Sequence, residues 1–134
     1  MVDAILVYSP EKELEVLAEL ASKGNLVDWK PAIILAAAYL EKFGIYKLKR
    51  YFEEKKIQLS GKLENLSLNE VAVFLYGLGL IDEKFFTWMT QIWNERNNIV
   101  HQKGALPAYV GEEANKKYGK MISNALEIIK FLKS

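Results

Sequence analysis

Three polar side chains near the end of one predicted helix, Arg96, Asn97 and His101, have the types needed for chemistry on a phosphate group. An arginine stabilises negative charge that develops on phosphate, and an imidazole exchanges protons near neutral pH. The chain has one histidine and no cysteine, which excludes a thiolate metal site or a multi-histidine site within one chain. The chemistry to which these residues point is attack on a phosphodiester without a metal ion or another cofactor.

Arg96 occupies a position where the helical pattern predicts an apolar residue. Phe85, Met89 and Ile92 are spaced by four and three residues, and the next step of that ladder is Arg96. Burying an unpaired charge costs several kcal/mol. We therefore expect a carboxylate, an anionic ligand or a second subunit to compensate the charge at this face.

Asn97 and His101 are four residues apart and share a helix face, rotated by roughly 100° to 140° from Arg96. One helix therefore does not bring Arg96 and His101 together, whereas a twofold-related copy would line a shared groove with both. Two structural explanations stay open. His101 is favourable at a helix C-terminus, and Arg96 can pair with a neighbouring glutamate while its stem packs in the core.

Length and composition indicate one folded domain over residues 1–134. Hydrophobic residues make up 51% of the chain and charged residues 26%, an ordinary balance for a globular protein. No apolar run approaches the roughly 20 residues that span a bilayer. The N-terminal residues lack the basic flank and cleavage site of a signal peptide, so we expect a cytoplasmic protein that does not engage the membrane.

The net charge of +1 does not suggest a general polyanion binder, but basic residues cluster locally. Lys47 and Arg50 lie in a basic run that could attract phosphate, and Lys103 follows the motif. These three are the candidate RNA-binding residues, although glutamates interleaved in the run also fit a solvated helix face. Aromatic residues near the motif could stack on bases, but at helical spacing they are more typical of a core.

Five amphipathic helices predict an all-α antiparallel helical bundle. Capping signals and apolar stripes place the helices at residues 9–23, 28–56, 67–77 and 82–104, with the last beginning at 112. Ser67 and Glu70 form a capping box, and Asp82 caps the helix that carries the motif. Gly44 marks either a kink or a close helix crossing. Residues 57–66 are predicted to be a connection.

The motif resembles a known family signature. Residues 96–101, Arg-Asn-Asn-Ile-Val-His, resemble the Arg-Asn-x-x-x-His motif of the HEPN superfamily, which comprises small all-helical domains, many of them ribonucleases. The segments 78–82 and 34–41 resemble the residues before the motif helix and the alanine-rich second helix of that family. Close resemblance covers about residues 74–104, and a looser one covers the whole chain.

The resemblance implies a homodimer that cleaves RNA by attack of the ribose 2′-OH on the adjacent phosphate. Arg96 would hold the phosphate, His101 would act as general acid or base, and Asn97 would orient phosphate or histidine. A toxin or defence effector with an antitoxin or nucleotidyltransferase partner fits this picture. A toxin subgroup has tyrosine where this chain has Lys103, so nucleotidylation there is not supported. The alternative is a non-catalytic module that binds a nucleotide or a protein.

Overall fold

The computed structural model describes residues 12, 15, 16, 30–59, 61–101 and 112–134. In this part of the chain, four α-helices pack together and no strand occurs. None of these helices is long and apolar enough to cross a membrane. The helices are α1 (Lys30–Glu54), α2 (Leu68–Gly77), α3 (Glu83–His101) and α4 (Glu112–Lys133).

Two helix starts follow the capping signals of the sequence. The Ser67 hydroxyl accepts a hydrogen bond from the Glu70 backbone at 3.2 Å, and the Glu70 carboxylate accepts one from the Ser67 backbone at 2.9 Å. Asp82 accepts a hydrogen bond from the Phe85 backbone at 2.9 Å. Both caps satisfy amide groups that a first helical turn leaves without partners, so the predicted starts of α2 and α3 are confirmed.

The core lies where α1 packs against all three other helices. Gly44 of α1 sits against α2, where an added Cβ would overlap Val71 Cγ1 and lie 3.5 Å from Leu75 Cδ1. The structure therefore resolves the open question at Gly44 in favour of a close helix crossing. The fully buried side chains that surround this crossing include Leu40, Leu48, Val71 and Leu75.

The helix directions differ in part from a simple antiparallel bundle. α3 and α4 are antiparallel, because Phe85 meets Phe131 at 5.4 Å and Glu95 meets Tyr118 near the other end. α1 and α2 advance in the same direction where they touch, since Glu41 lies near the Leu68 backbone and Gly44 lies against Val71. The long connection between them allows the chain to return, and it contains a 3₁₀ turn at Leu63–Asn65.

The structure describes only part of the first predicted helix. Lys12, Glu15 and Val16 are helical, in agreement with the helix predicted at 9–23. The rest of that helix, and with it the predicted total of five, lies outside the described residues. So do the Asp28 cap, Lys103 and the predicted end of the motif helix at 104.

Candidate functional site

The apolar ladder of α3 leads directly to Arg96. Met89 is 0% exposed and Ile92 is 1% exposed, so the predicted buried stripe is confirmed at these positions. Arg96 itself is partly buried. No charged residue of the described ranges is fully buried, because a long side chain can pack its stem while its charged head reaches polar atoms.

The Arg96 guanidinium is held by two neighbours on its own helix. Nη1 donates a hydrogen bond to Asn97 Oδ1 at 3.0 Å. The guanidinium carbon lies 5.3 Å from the centre of the Trp93 ring, within the range of a cation–π interaction. Arg96 and Asn97 therefore form one polar unit, a contact between adjacent residues that their directions on the helix did not suggest.

A third group that acts on this unit is Glu41 of α1. Burial raises the pKa of the Glu41 carboxyl above its ordinary value of 4.5, while the positive charge of Arg96 and a hydrogen bond from the Leu68 backbone lower it. The opposing effects mean that Arg96 faces α1 closely enough to influence this carboxylate. Glu41 is thus the carboxylate whose charge acts on Arg96, but among the described residues the two side chains form no ion pair.

His101 lies on a different side of α3. It is exposed and makes no hydrogen bond or ion pair with the described residues. Five residues separate it from Arg96, which corresponds to about 7.5 Å along the axis and about 140° around it. Within one chain the structure joins Arg96 to Asn97 by a hydrogen bond, and among the described residues His101 is bonded to neither.

The predicted RNA-binding residues Lys47 and Arg50 lie near the end of α4. Both donate hydrogen bonds of 3.5 Å to the Ser134 carbonyl, and the Lys47 ammonium lies 5.7 Å from the centre of the Phe131 ring. Phe131 in turn contacts Phe85, which is about 24 Å along α3 from His101. One chain therefore does not bring these two residues to the Arg96 unit.

Replacing Arg96 with methionine is expected to raise the pKa of Glu41 further, because burial would no longer be opposed by the arginine charge. An acid whose pKa is higher in the folded state binds its proton more tightly there. The free energy of unfolding of this variant should therefore fall more steeply than that of the wild type as pH rises above 4.5. NMR titration of the Glu41 side-chain carboxyl measures the shift directly.

The matched control is Arg50→Met, which removes an arginine on α1 that contacts Ser134. Its Glu41 titration should follow the wild type. If Arg96→Met and Arg50→Met leave the Glu41 titration equally unchanged, then Arg96 does not face Glu41 in solution.

Sequence reasoning anticipated a glutamate partner for Arg96 but did not identify Glu41. The available signal was its position next to buried Leu40, at the edge of the apolar stripe of α1. A carboxylate at the edge of a buried stripe is placed to meet a cation on a packed neighbour. The sequence alone does not say which helix supplies that cation.

The site contains the Arg96 guanidinium, which contacts the Asn97 amide and the Trp93 ring. The exposed imidazole of His101 lies on another side of the same helix. A guanidinium can bind a phosphate through paired hydrogen bonds, and an imidazole can move a proton. Known proteins provide no further guide, because no family model, curated protein or solved structure matches this chain.

Proposed function

We propose that this chain is a metal-independent RNA endonuclease of the HEPN type, with a composite site formed by two copies of the chain. The observation that carries the proposal is the supported Arg96 guanidinium on the helix that ends, within the described ranges, at the exposed His101. A fixed cation and an accessible proton carrier are the two groups that phosphodiester transfer requires.

In the proposed reaction, the ribose 2′-oxygen forms a bond to the adjacent phosphorus while the bond from phosphorus to the 5′-oxygen breaks. The 2′-hydroxyl loses its proton to one imidazole, and the departing 5′-oxygen receives a proton from a second imidazole or from water. Arg96 stabilises the negative charge that develops on the phosphate oxygens. Asn97 keeps the guanidinium oriented through its side-chain oxygen. The products carry a 2′,3′-cyclic phosphate and a free 5′-hydroxyl.

The separation of Arg96 and His101 supports the dimeric form of the proposal. The two residues point to different sides of α3, so Arg96 and His101 of one copy cannot contact the same phosphate together. A second copy related by a twofold axis would place its His101 near the first copy's Arg96. We therefore propose a homodimer in which each phosphate meets residues of both chains.

A non-catalytic nucleotide-binding or protein-interaction module is the second candidate. It is favoured by the internal contacts of Arg96, which already has Asn97, Trp93 and the charge of Glu41 as neighbours. A charge satisfied within the chain needs no substrate to explain it. In this alternative the groups around α3 bind a ligand without turnover.

The deciding experiment incubates the purified chain with mixed-sequence RNA in the presence of EDTA. A nuclease of the proposed type will cleave under these conditions and leave 2′,3′-cyclic phosphate ends, which mass spectrometry of the fragments identifies. The active species should elute as a dimer in size-exclusion chromatography. Intact RNA after incubation with the dimer, together with thermal stabilisation by a nucleotide, would support the non-catalytic alternative instead.

A physiological role as a toxin or defence effector belongs to the same proposal. A ribonuclease that acts on cellular RNA must be restrained, so an antitoxin or nucleotidyltransferase partner would be needed. Expression of the wild-type chain should then slow growth, while expression of the His101→Ala variant should not. Equal growth of both strains at matched protein levels would remove the toxin role.

A further inference from the structure

A groove between α3 and α4 lies beside the candidate site. Arg96, Asn97 and His101 are not among the residues that line it. Its volume is about 560 Å³, which is enough to hold part of a nucleotide-sized ligand. One aromatic ring, three amides and two ammonium groups line it together with Glu95 and Met121. These residues are Trp88, Gln91, Asn94, Lys117, Lys120 and Asn124.

The amide side chains of the groove are available to a ligand. Gln91, Asn94 and Asn124 make no hydrogen bonds with the described residues. Each amide carries two N–H donors and one carbonyl acceptor, so together they can match the mixed donors and acceptors of a nucleobase edge. Three such groups around one groove form a surface able to recognise a polar heterocycle.

The charges of the groove favour an anionic ligand. Glu95 is the acidic residue of the lining, and its side chain is only 15% exposed. One of its oxygens accepts a hydrogen bond from the Tyr118 hydroxyl at 2.7 Å, and the other lies 3.8 Å from the Lys117 ammonium. Lys120 is exposed and forms no ion pair with the described residues. The groove is therefore left with a net positive charge that can meet a phosphate.

We propose that this groove binds one nucleotide unit of single-stranded RNA. In this arrangement the base stacks on the Trp88 ring, the amides bond the base edge, and Lys120 contacts the backbone phosphate. A base in a duplex could not present its face to Trp88 or its paired edge to the amides. The chemistry of the lining therefore selects a single strand.

A row of exposed polar side chains on α3 leads from the groove toward His101. Gln91, Asn94, Asn98 and His101 are all exposed and are spaced by three or four residues, so they form one polar row on the helix. Asn94 and His101 are about 10 Å apart along the axis, or about three stacked nucleotides at about 3.4 Å each. The role of the groove as a substrate subsite depends on the proposed nuclease function. Its binding of RNA does not depend on that function.

The test measures binding of a short fluorescein-labelled single-stranded RNA to the full chain carrying His101→Ala, in EDTA, by fluorescence anisotropy. In this background Lys120→Ala and Asn94→Ala are each expected to weaken binding about fivefold, and Trp88→Leu by at least that factor. Lys120→Ala should also reduce the slope of log affinity against log salt by about 0.7. Lys120 and Asn94 are exposed, so these variants do not depend on core packing.

Lys130→Ala is the matched control, because it removes one exposed charge from α4 outside the groove. It should retain the affinity and the salt slope of the His101→Ala background. If Lys120→Ala and Asn94→Ala behave like Lys130→Ala, the groove is not the RNA site. Equal affinity for a duplex of the same sequence would overturn the stacking arrangement. Equal affinity for a mononucleotide such as AMP would overturn the assignment to a strand.

The outcomes for the groove and for the nuclease are separable. Groove-dependent RNA binding by a wild-type chain that leaves RNA intact would uphold the subsite and overturn the nuclease. If the wild type cleaves RNA but the groove variants bind RNA with unchanged affinity, the nuclease would be upheld and the subsite overturned.

Discussion

The His101→Ala variant is expected to cleave RNA about 10²- to 10⁴-fold more slowly than the wild type, the usual contribution of a general acid or base. The loss should appear in the maximal rate, because the imidazole transfers a proton in the transition state and does not bind the RNA. RNA binding by Arg96 and by the groove should persist. Single-turnover cleavage at saturating protein separates the two effects.

The fold of this variant should be intact, since His101 is exposed and makes no hydrogen bond with the described residues. Thr87→Ala is the matched control, because Thr87 is exposed and lies within about 40° of His101 on the outer side of α3. That variant should cleave at the wild-type rate. Added imidazole should restore part of the activity of His101→Ala and none to an Arg96→Met variant. Undiminished cleavage by His101→Ala would show that His101 has no catalytic role.

The features that sequence predicted well are those that depend on a few neighbouring residues. The capping box joins Ser67 to Glu70, and the cap of α3 joins Asp82 to Phe85. Each is decided within one helical turn, so the residue types and their spacing contain the necessary information. The buried positions of Met89 and Ile92 follow in the same way from the period of the helix.

The features that sequence did not supply depend on how distant helices cross. Glu41 and Arg96 are far apart in the chain, and their charges interact because α1 packs on α3. Glu95 and Tyr118 meet only because α3 and α4 are antiparallel. Helical period gives the face that a residue occupies, but not the neighbour that the face meets. This is why the sequence indicated a carboxylate for Arg96 without naming it, and why it did not reveal the groove.

The sequence also did not show where the basic residues lie relative to the motif, because their positions too depend on how the helices pack. Lys47 and Arg50 share a basic run with lysines along α1, and their charge alone suggested that they bind the phosphates of RNA. Their contacts with Ser134 place them toward the far end of α3 from His101. An RNA strand that reached both regions of one chain would have to follow most of the length of α3. Lys120, which the charge pattern did not single out, lies in the groove beside the motif helix instead.

Gly44→Ala is expected to lower the free energy of unfolding by about 1–2 kcal/mol, although alanine favours a helix over glycine by about 1 kcal/mol. The added Cβ would overlap Val71 Cγ1, and Val71 is fully buried. A valine in a helix has one strongly preferred rotamer, so its methyl group cannot move aside without strain. α1 and α2 would have to separate at the crossing that closes the core. Urea denaturation followed by circular dichroism measures the loss.

Two further variants assign the loss to that overlap. Gly77→Ala is the matched control, because Gly77 also lies in a helix but has open space where its Cβ would be. It should gain about 0.5–1 kcal/mol. Val71→Ala alone should cost about 2 kcal/mol through lost burial, yet it makes room for a methyl group at residue 44. The double variant should therefore lose clearly less than the sum of the single losses, with a coupling of about 1 kcal/mol. Additive losses would mean that the two helices do not approach closely at Gly44.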